Sequence, residues 1–278
     1  MMRALRTLVE ELEQDRSLYE PDRLSLRVEA LDRLEVYLNG DQSAEEVIYR
    51  ARALSAQLEA ANSELYRAIR REIQHGAGSD ALLPWIHKSG VVQGEGYDFL
   101  DELIVGIFEF EESGVEPVPL AAEMVFYQPT PARHIFDLID RTALTKHDVL
   151  VDLGSGLGHV PLLASICTLA RSIGIELEPA YIDCARQSAQ GLNLNNVTFL
   201  QQDVRAADFS AGTVFYLYTP FTGTILRAVL DSLQREASRR PIRIGTFGPC
   251  TPIIAEEQWL EARGPLYLNR IAIFSSRN

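Results

Sequence analysis

Apolar residues recur along this chain at two different periods, and the change of period divides it. Up to about residue 75 the period is helical: Leu24, Val28, Leu31, Leu34 and Leu38 follow steps of three and four. Val47, Ala51, Leu54, Leu58, Ala61, Leu65 and Ala68 form a longer seam, opened by the capping box Ser43-x-x-Glu46. Gly40 and Pro21 are the only glycine and proline in this stretch. A seam this short leaves an intramolecular bundle and a dimer zipper both open. His75-Gly-Ala-Gly-Ser-Asp80 ends the helix and marks a boundary. Residues 82–96 read as a loop anchored by Trp85, 97–108 as a short helix, and 111–119 as a proline-interrupted connector.

Beyond residue 127 the pattern becomes one of short apolar runs alternating with helical stretches. Strands are expected at 149–153, 171–175, 197–201, 213–218, 242–247 and 271–275, the last pairing with part of 259–268. Helices are expected at 160–170, 179–191 and 223–239. Such alternation builds a parallel sheet covered on both faces. The expected organisation is a helical domain over 1–90, an acidic connector with a short helix over 91–126, and an α/β nucleotide-binding domain over 127–278.

The first strand ends in Asp152, followed by Gly154, Ser155, Gly156 and Gly158, with His159 on the first turn of the next helix. A dinucleotide site has G-x-G-x-x-G and offers helix-end amides to a diphosphate. Here the third glycine comes one residue early and a carboxylate stands beside the turn. That carboxylate repels phosphate and suits a cationic ammonium such as that of S-adenosylmethionine. Glu176, about 22 residues past Gly154, sits where an acid can accept both ribose hydroxyls. Asp203, after the third strand, could accept from an adenine amino group, with the Val204 backbone amide donating to the ring. Asp152, Glu176, Asp203 and Thr219 all lie at carboxyl ends of strands, where ligands of such sheets bind.

At these residues the chain resembles the class I S-adenosylmethionine-dependent methyltransferases, over residues 127–278. Tyr127-Gln128-Pro129-Thr130-Pro131, a helix, and then Asp-Leu-Gly-Ser-Gly-Leu-Gly-His is similar to the seven-stranded lysine methyltransferases: the non-SET histone H3 enzymes and their mitochondrial and bacterial relatives. The resemblance implies a Rossmann-like seven-stranded sheet. It also implies that the Tyr127–Thr130 segment folds over the methionine end of the cofactor, and that the residue at the position of His159, glutamine in the histone enzymes, touches it. Where those enzymes carry Asn-Asn-Phe after strand four, this chain has Tyr218-Thr219-Pro220.

Each residue also has a plainer reading. Thr130 before Pro131 is a helix N-cap with proline at the first helical position. Tyr127 fits a core aromatic, His159 a surface or capping residue, and Asp152, Glu176 and Asp203 turn formers. Tyr218 and Phe221 fit an apolar plug at the sheet edge, with Pro220 stopping the strand.

Composition adds bounds. A chain of 278 residues with 46% hydrophobic content can bury a full core, and no apolar run reaches membrane-spanning length. Three scattered cysteines, with no secretory leader, suit a reducing, cytoplasmic setting, and neither they nor the five histidines show metal-ligand spacing. Of the net charge of −13, residues 91–140 contribute −10, among them Asp101, Glu102, Glu109, Glu111, Glu112 and Glu116. No basic stripe invites nucleic acid. The acids either draw a cationic acceptor or keep a connector solvated. The expected activity is methyl transfer to a nucleophilic nitrogen, protein lysine among the candidates. Tyr127, Tyr218 and Thr219 are the catalytic candidates, and Phe221 joins the two tyrosines as channel wall. The alternatives are a small-molecule N- or O-methyltransferase and a non-catalytic scaffold.

Overall fold

A computed structural model describes residues 2–38, 45–88, 96–110 and 123–277. Ser43 of the expected capping box, Gly40, and Glu111, Glu112 and Glu116 of the connector lie outside the described residues.

The N-terminal stretch folds into three helices, α1 (Met2–Gln14), α2 (Leu24–Leu38) and α3 (Glu45–Gln74). Leu5, Leu8, Val9 and Leu12 of α1 pack with Ala30 and Leu34 of α2 and with Val47, Ala51, Leu54 and Leu58 of α3. The seam is therefore filled within one chain in its first half. Past Leu58 the buried stripe moves off the expected Ala61, Leu65 and Ala68 and onto Asn62, Ile69 and Ile73. The partner at that point is polar: Arg27 is fully buried and donates to Asn62 Oδ1 at 2.5 Å and to the Leu18 and Glu20 carbonyls at 2.8 Å. Of the periodic positions on α2, Leu24 and Leu34 are fully buried, Val28, Leu31 and Leu38 are partly buried against the cores, and Arg27 and Ala30 join the buried face.

A short helix, α4 (Leu83–Ile86), stands inside the stretch expected to be loop, with Trp85 buried as its anchor. It leads to α5 (Phe99–Phe108), opened by a reciprocal capping box of Asp98 and Asp101. Asp101 Oδ1 also accepts the Ala132 amide at 2.7 Å, capping α6 (Ala132–Thr142) from another element.

The α/β unit has seven strands, β1 (Val149–Leu153), β2 (Arg171–Glu176), β3 (Val197–Gln201), β4 (Val214–Leu217), β5 (Arg243–Thr246), β6 (Leu260–Ala262) and β7 (Ala272–Ser276). Their order is β3-β2-β1-β4-β5-β7-β6, with only β7 and β6 antiparallel to what they pair with. β1 is buried at every position, as a central parallel strand covered on both faces must be. Helices α7 (His159–Cys167) and α8 (Pro179–Gly191) cover one face together with α6, and α9 (Gly223–Ala237) and α10 (Cys250–Ala255) cover the other.

The core of the first face continues without a break into the N-terminal helices. Ile69 and Ile73 of α3, Leu100–Phe108 of α5 and Trp85 share one cluster with Ile135, Leu138, Leu150 and Leu162. Hydrogen bonds reinforce the join: Gln74 Nε2 donates to the Gly191 carbonyl at 2.6 Å and Ser188 Oγ to the Phe108 carbonyl at 2.8 Å. Among the described residues no helix is long and apolar enough to cross a membrane, and no cluster of ligating side chains could hold a metal ion.

Candidate active site

A cavity of about 970 Å³ opens beyond the carboxyl ends of β1, β2, β3 and β4. Thr130, Asp152, Gly154, Ser155, His159, Glu176, Asp203, Val204, Tyr127, Tyr218, Thr219 and Phe221 all line it. Gly156 lies directly beneath the Tyr127 ring. The tertiary fold thus brings together residues spread over nearly a hundred positions of sequence.

The glycine turn shows what the cavity can bind. The Gly154 and Ser155 amides both donate to the Ile175 carbonyl, at 2.9 and 3.0 Å. The Gly156 amide donates to Glu176 Oε2 at 2.9 Å and the Gly158 amide to the Ser155 carbonyl at 2.8 Å. The turn therefore spends these four donors on neighbouring groups instead of aiming them into the cavity, which leaves fewer amides for a diphosphate than an open phosphate cradle offers. Gly156 has φ +52, and a Cβ there would collide with the Tyr127 ring. Here only glycine permits both the backbone and the close aromatic cover.

Asp152 is 4% exposed, and neither a hydrogen bond nor a cation among the described residues compensates its carboxylate. Burial and the nearby Glu176 hold its carboxyl well above the usual range. An uncompensated buried carboxyl in a cavity wall is costly unless a cation joins it. The buried Ser155 hydroxyl also lacks a partner among the described residues. Both features fit the amino-acid end of S-adenosylmethionine: Asp152 for the ammonium and Ser155 as an additional polar contact.

Glu176 faces the cavity but is largely occupied. Besides the Gly156 amide it accepts the Leu177 amide at 2.6 Å and the Glu178 amide at 2.9 Å. Of roughly four acceptor positions on a carboxylate, three are used, so it can take one ribose hydroxyl in this rotamer and not both. Asp203 departs further from expectation. Arg205 closes on it with its guanidinium, Nη2 to Oδ2 at 2.5 Å, and with its backbone amide at 2.9 Å, lowering the Asp203 carboxyl below its ordinary value. The acceptor expected for adenine is thus satisfied by the residue two positions on. Val204 is buried in the cavity wall, at the start of a 3₁₀ turn.

Thr130 does not cap α6. The cap position falls on Pro131 without a side-chain bond, Asp101 takes the Ala132 amide, and the Thr130 hydroxyl pairs instead with buried Tyr216 Oη at 2.9 Å. Tyr127 is not a plain core aromatic either: it forms a wall of the cavity, with Tyr181 at a ring distance of 5.1 Å. His159 is not on the surface. It is 8% exposed and bonds Tyr127 Oη through Nδ1 at 3.0 Å.

On the opposite wall Tyr218 packs on Phe247 at 4.8 Å. Thr219 has φ +44, a left-handed conformation that a β-branched residue rarely adopts. Its hydroxyl accepts the Cys250 amide at 3.0 Å and points at the Phe247 carbonyl at 3.4 Å. Thr219 therefore ties the loop after β4 to the start of α10, and its oxygen is already engaged. Phe221 is buried and pairs with Met124 in an isolated antiparallel bridge.

Glu123 is a residue that the sequence reading passed over. Its carboxylate accepts the Thr224 hydroxyl at 2.7 Å and the Ile225 amide at 3.1 Å, capping α9 from outside. An acid before a capping Thr-Gly sequence is a local signal only when the two are adjacent in the chain, and here they are 101 residues apart. Two acids of the expected rim are engaged elsewhere: Asp101 caps helices, and Glu109 pairs with Arg70 at 3.3 Å.

Sheet order, the glycine turn and the buried Asp152 carboxyl give the α/β unit the architecture of the class I S-adenosylmethionine-dependent methyltransferases that the sequence resembles. Within it, residues 123–214, about a third of the chain, match the family model described as histone methylation protein DOT1. An H3 lysine-79 specific histone-lysine N-methyltransferase of Cryptococcus neoformans is 46% identical over 56 residues, which are 19% of this chain and 9% of that protein. An uncharacterized RNA methyltransferase of Lactiplantibacillus plantarum is 34% identical over 86 residues, 30% of this chain and 18% of that protein. The chain thus spans less than a fifth of the length of these curated relatives. Among solved structures, an RNA methyltransferase from Salinibacter ruber in complex with S-adenosyl-L-homocysteine aligns with 54% of this chain and 92% of its own, at 24% identity and a TM-score of 0.43. Since an RNA methyltransferase appears beside the histone enzyme, the sequence-based expectation against nucleic acid gains no support from these relatives.

Proposed function

We propose that this protein is an S-adenosylmethionine-dependent methyltransferase acting on a lysine side chain of a protein. The observation that carries the cofactor part is Asp152, a buried carboxyl beside a turn whose Gly154, Ser155, Gly156 and Gly158 amides are already engaged. The lysine part rests on the match of residues 123–214 to the DOT1 family model and on the aromatic lining of Tyr127, Tyr218 and Phe221.

When bound, S-adenosylmethionine supplies a methyl group already activated on a sulfonium. What remains for the protein is alignment and desolvation, and alignment alone can account for about 7–11 kcal/mol of barrier at most. Asp152 would anchor the ammonium end, Glu176 a ribose hydroxyl, and Tyr127 would close over the turn. A lysine amine, with a reference pKa of about 10.4, must lose its proton before it can attack. Tyr218 and Phe221 favour that loss by excluding water from the charged form. No carboxylate of the cavity should sit at the reacting nitrogen, since it would hold the proton there.

A small-molecule acceptor is the second reading, favoured by the Thr219 hydroxyl being spent on the Cys250 amide where the histone enzymes present Asn-Asn. Incubation of a cell extract with tritiated-methyl S-adenosylmethionine separates the readings. Label recovered as methyl-lysine after protein hydrolysis supports the proposal. Label confined to metabolites or RNA overturns the lysine assignment, and cofactor binding with no label in any fraction favours the scaffold.

A further inference from the structure

We propose that His159 is a positioning residue: its Nδ1 accepts the Tyr127 phenol and thereby holds that ring as a fixed wall over the glycine turn. The inference rests on the S-adenosylmethionine reading of the cavity and adds to it the device that keeps one wall in place.

Three observations carry it. The bond itself is 3.0 Å long and lies at the cavity wall. The Tyr127 ring sits so close on Gly156 that a Cβ there would collide with it, so rotation of this ring would uncover the turn. The imidazole is in turn fixed from behind. The Phe110 ring lies 4.7 Å from it and the Phe108 ring 6.0 Å, Phe108 closing α5 and Phe110 standing just beyond its cap. An aromatic clamp of this kind leaves the imidazole one useful direction for Nδ1, toward the phenol.

Proton placement follows from burial. Desolvation lowers His159 to about 4, so at neutral pH the ring is uncharged and has one nitrogen free to accept. Burial also holds the Tyr127 phenol above its ordinary value, so its proton stays on oxygen. In the neutral tautomer with its proton on Nε2, Tyr127 donates and His159 accepts, and this is the tautomer the proposal assigns. Burial also makes His159 a poor base for a lysine amine, since desolvation disfavours its protonated form. Its place is behind the tyrosine.

Titration calorimetry with S-adenosylhomocysteine tests this on the full chain. Tyr127→Phe and His159→Phe should each weaken binding about 3- to 10-fold, the range expected for one neutral hydrogen bond. The double variant should lose no more than Tyr127→Phe alone, because the bond to His159 is already gone in that single, together with the one the phenol accepts from the Leu157 amide. His159→Asn, whose Oδ1 stands close to the place of Nδ1, should recover most of the affinity. A merely structural histidine would give neither that recovery nor that coupling. Additive losses, singles at wild-type affinity, or His159→Asn as weak as His159→Phe overturn the inference. Should His159→Phe not fold, Tyr127→Phe at wild-type affinity overturns it by itself. Wild-type protein that does not bind S-adenosylhomocysteine overturns the cofactor reading and the inference with it, a result distinct from binding with additive losses.

Discussion

A carboxylate buried without a cation works against the fold that contains it, and Asp152 is such a group. Its carboxyl is held above the usual range in the folded state, so the folded protein binds the proton more tightly than the unfolded chain. Stability therefore falls as pH rises through that window, the reverse of an ion-paired aspartate. Asp152→Asn should raise the Tm of the ligand-free protein at neutral pH and weaken S-adenosylmethionine binding roughly 10- to 100-fold, the worth of a charged hydrogen bond. Thermal melts and calorimetry on one sample check both signs. His159 runs the other way: its depressed value of about 4, against 6.5 unfolded, means the unfolded chain takes up the proton first. Between about pH 6.5 and 4 acidification should cost up to about 1.4 kcal/mol per pH unit from this one proton. Urea unfolding of wild type and His159→Asn across that range should show the shallower dependence in the variant. At Thr219 the engaged hydroxyl makes Thr219→Ala a stability change of about 1 kcal/mol, with the turnover number little altered. A hundredfold loss of turnover at unchanged Tm would restore a catalytic role.

At the scale of elements, the extended segment from Glu123 to Thr130 behaves as a strap across the cavity. It is pinned at one end by the Glu123 carboxylate on α9 and at the other by Thr130 on Tyr216. Its middle pairs with the loop after β4, the Val125 amide donating to the Pro220 carbonyl at 3.2 Å and the Thr222 amide to the Glu123 carbonyl at 2.8 Å. Glu123→Ala removes an N-terminal cap, which should cost about 1 kcal/mol. Because the same residue anchors the strap, cofactor KM should rise as well, and steady-state kinetics beside a melt would show both. The turn beneath tolerates less. Gly156→Ala must adopt φ +52 and push the Tyr127 ring aside, so binding of S-adenosylhomocysteine should be lost while the sheet persists by circular dichroism.

Across the whole molecule, the helical stretch and the sheet unfold as one body if the shared cluster is what holds them. Ile73 lies in that cluster although it belongs to α3, and Ile73→Ala should cost about 2–4 kcal/mol. A single transition seen alike by far-ultraviolet dichroism and by the fluorescence of Trp85 and Trp259 is the expected result, whereas two separated transitions would show that the helices are an independent unit.

How much of this was legible in the chain differs by kind of feature. Val149–Leu153 and Pro179–Gly191 stand where apolar runs and helical periodicity place them, because buried parallel strands and amphipathic helices are dictated by side chains close in sequence. The glycine spacing and Asp152 likewise announced a tight turn with a carboxyl beside it. Partner choice was not legible in this way. Thr130 looked like a cap and bonds a tyrosine 86 residues away, while Asp101 looked like surface charge and caps two helices. Asp203 looked free and is held by Arg205. A polar group in a dry interior takes whichever donor or acceptor the fold brings within reach, and that is set by packing at long range. Sequence by itself determined the order of elements, the sheet and the place of Asp152 beside the glycine turn. Only the tertiary structure decided which oxygens remain open to a ligand, since hydrogen bonds are saturated by neighbours in space and not by neighbours in the chain.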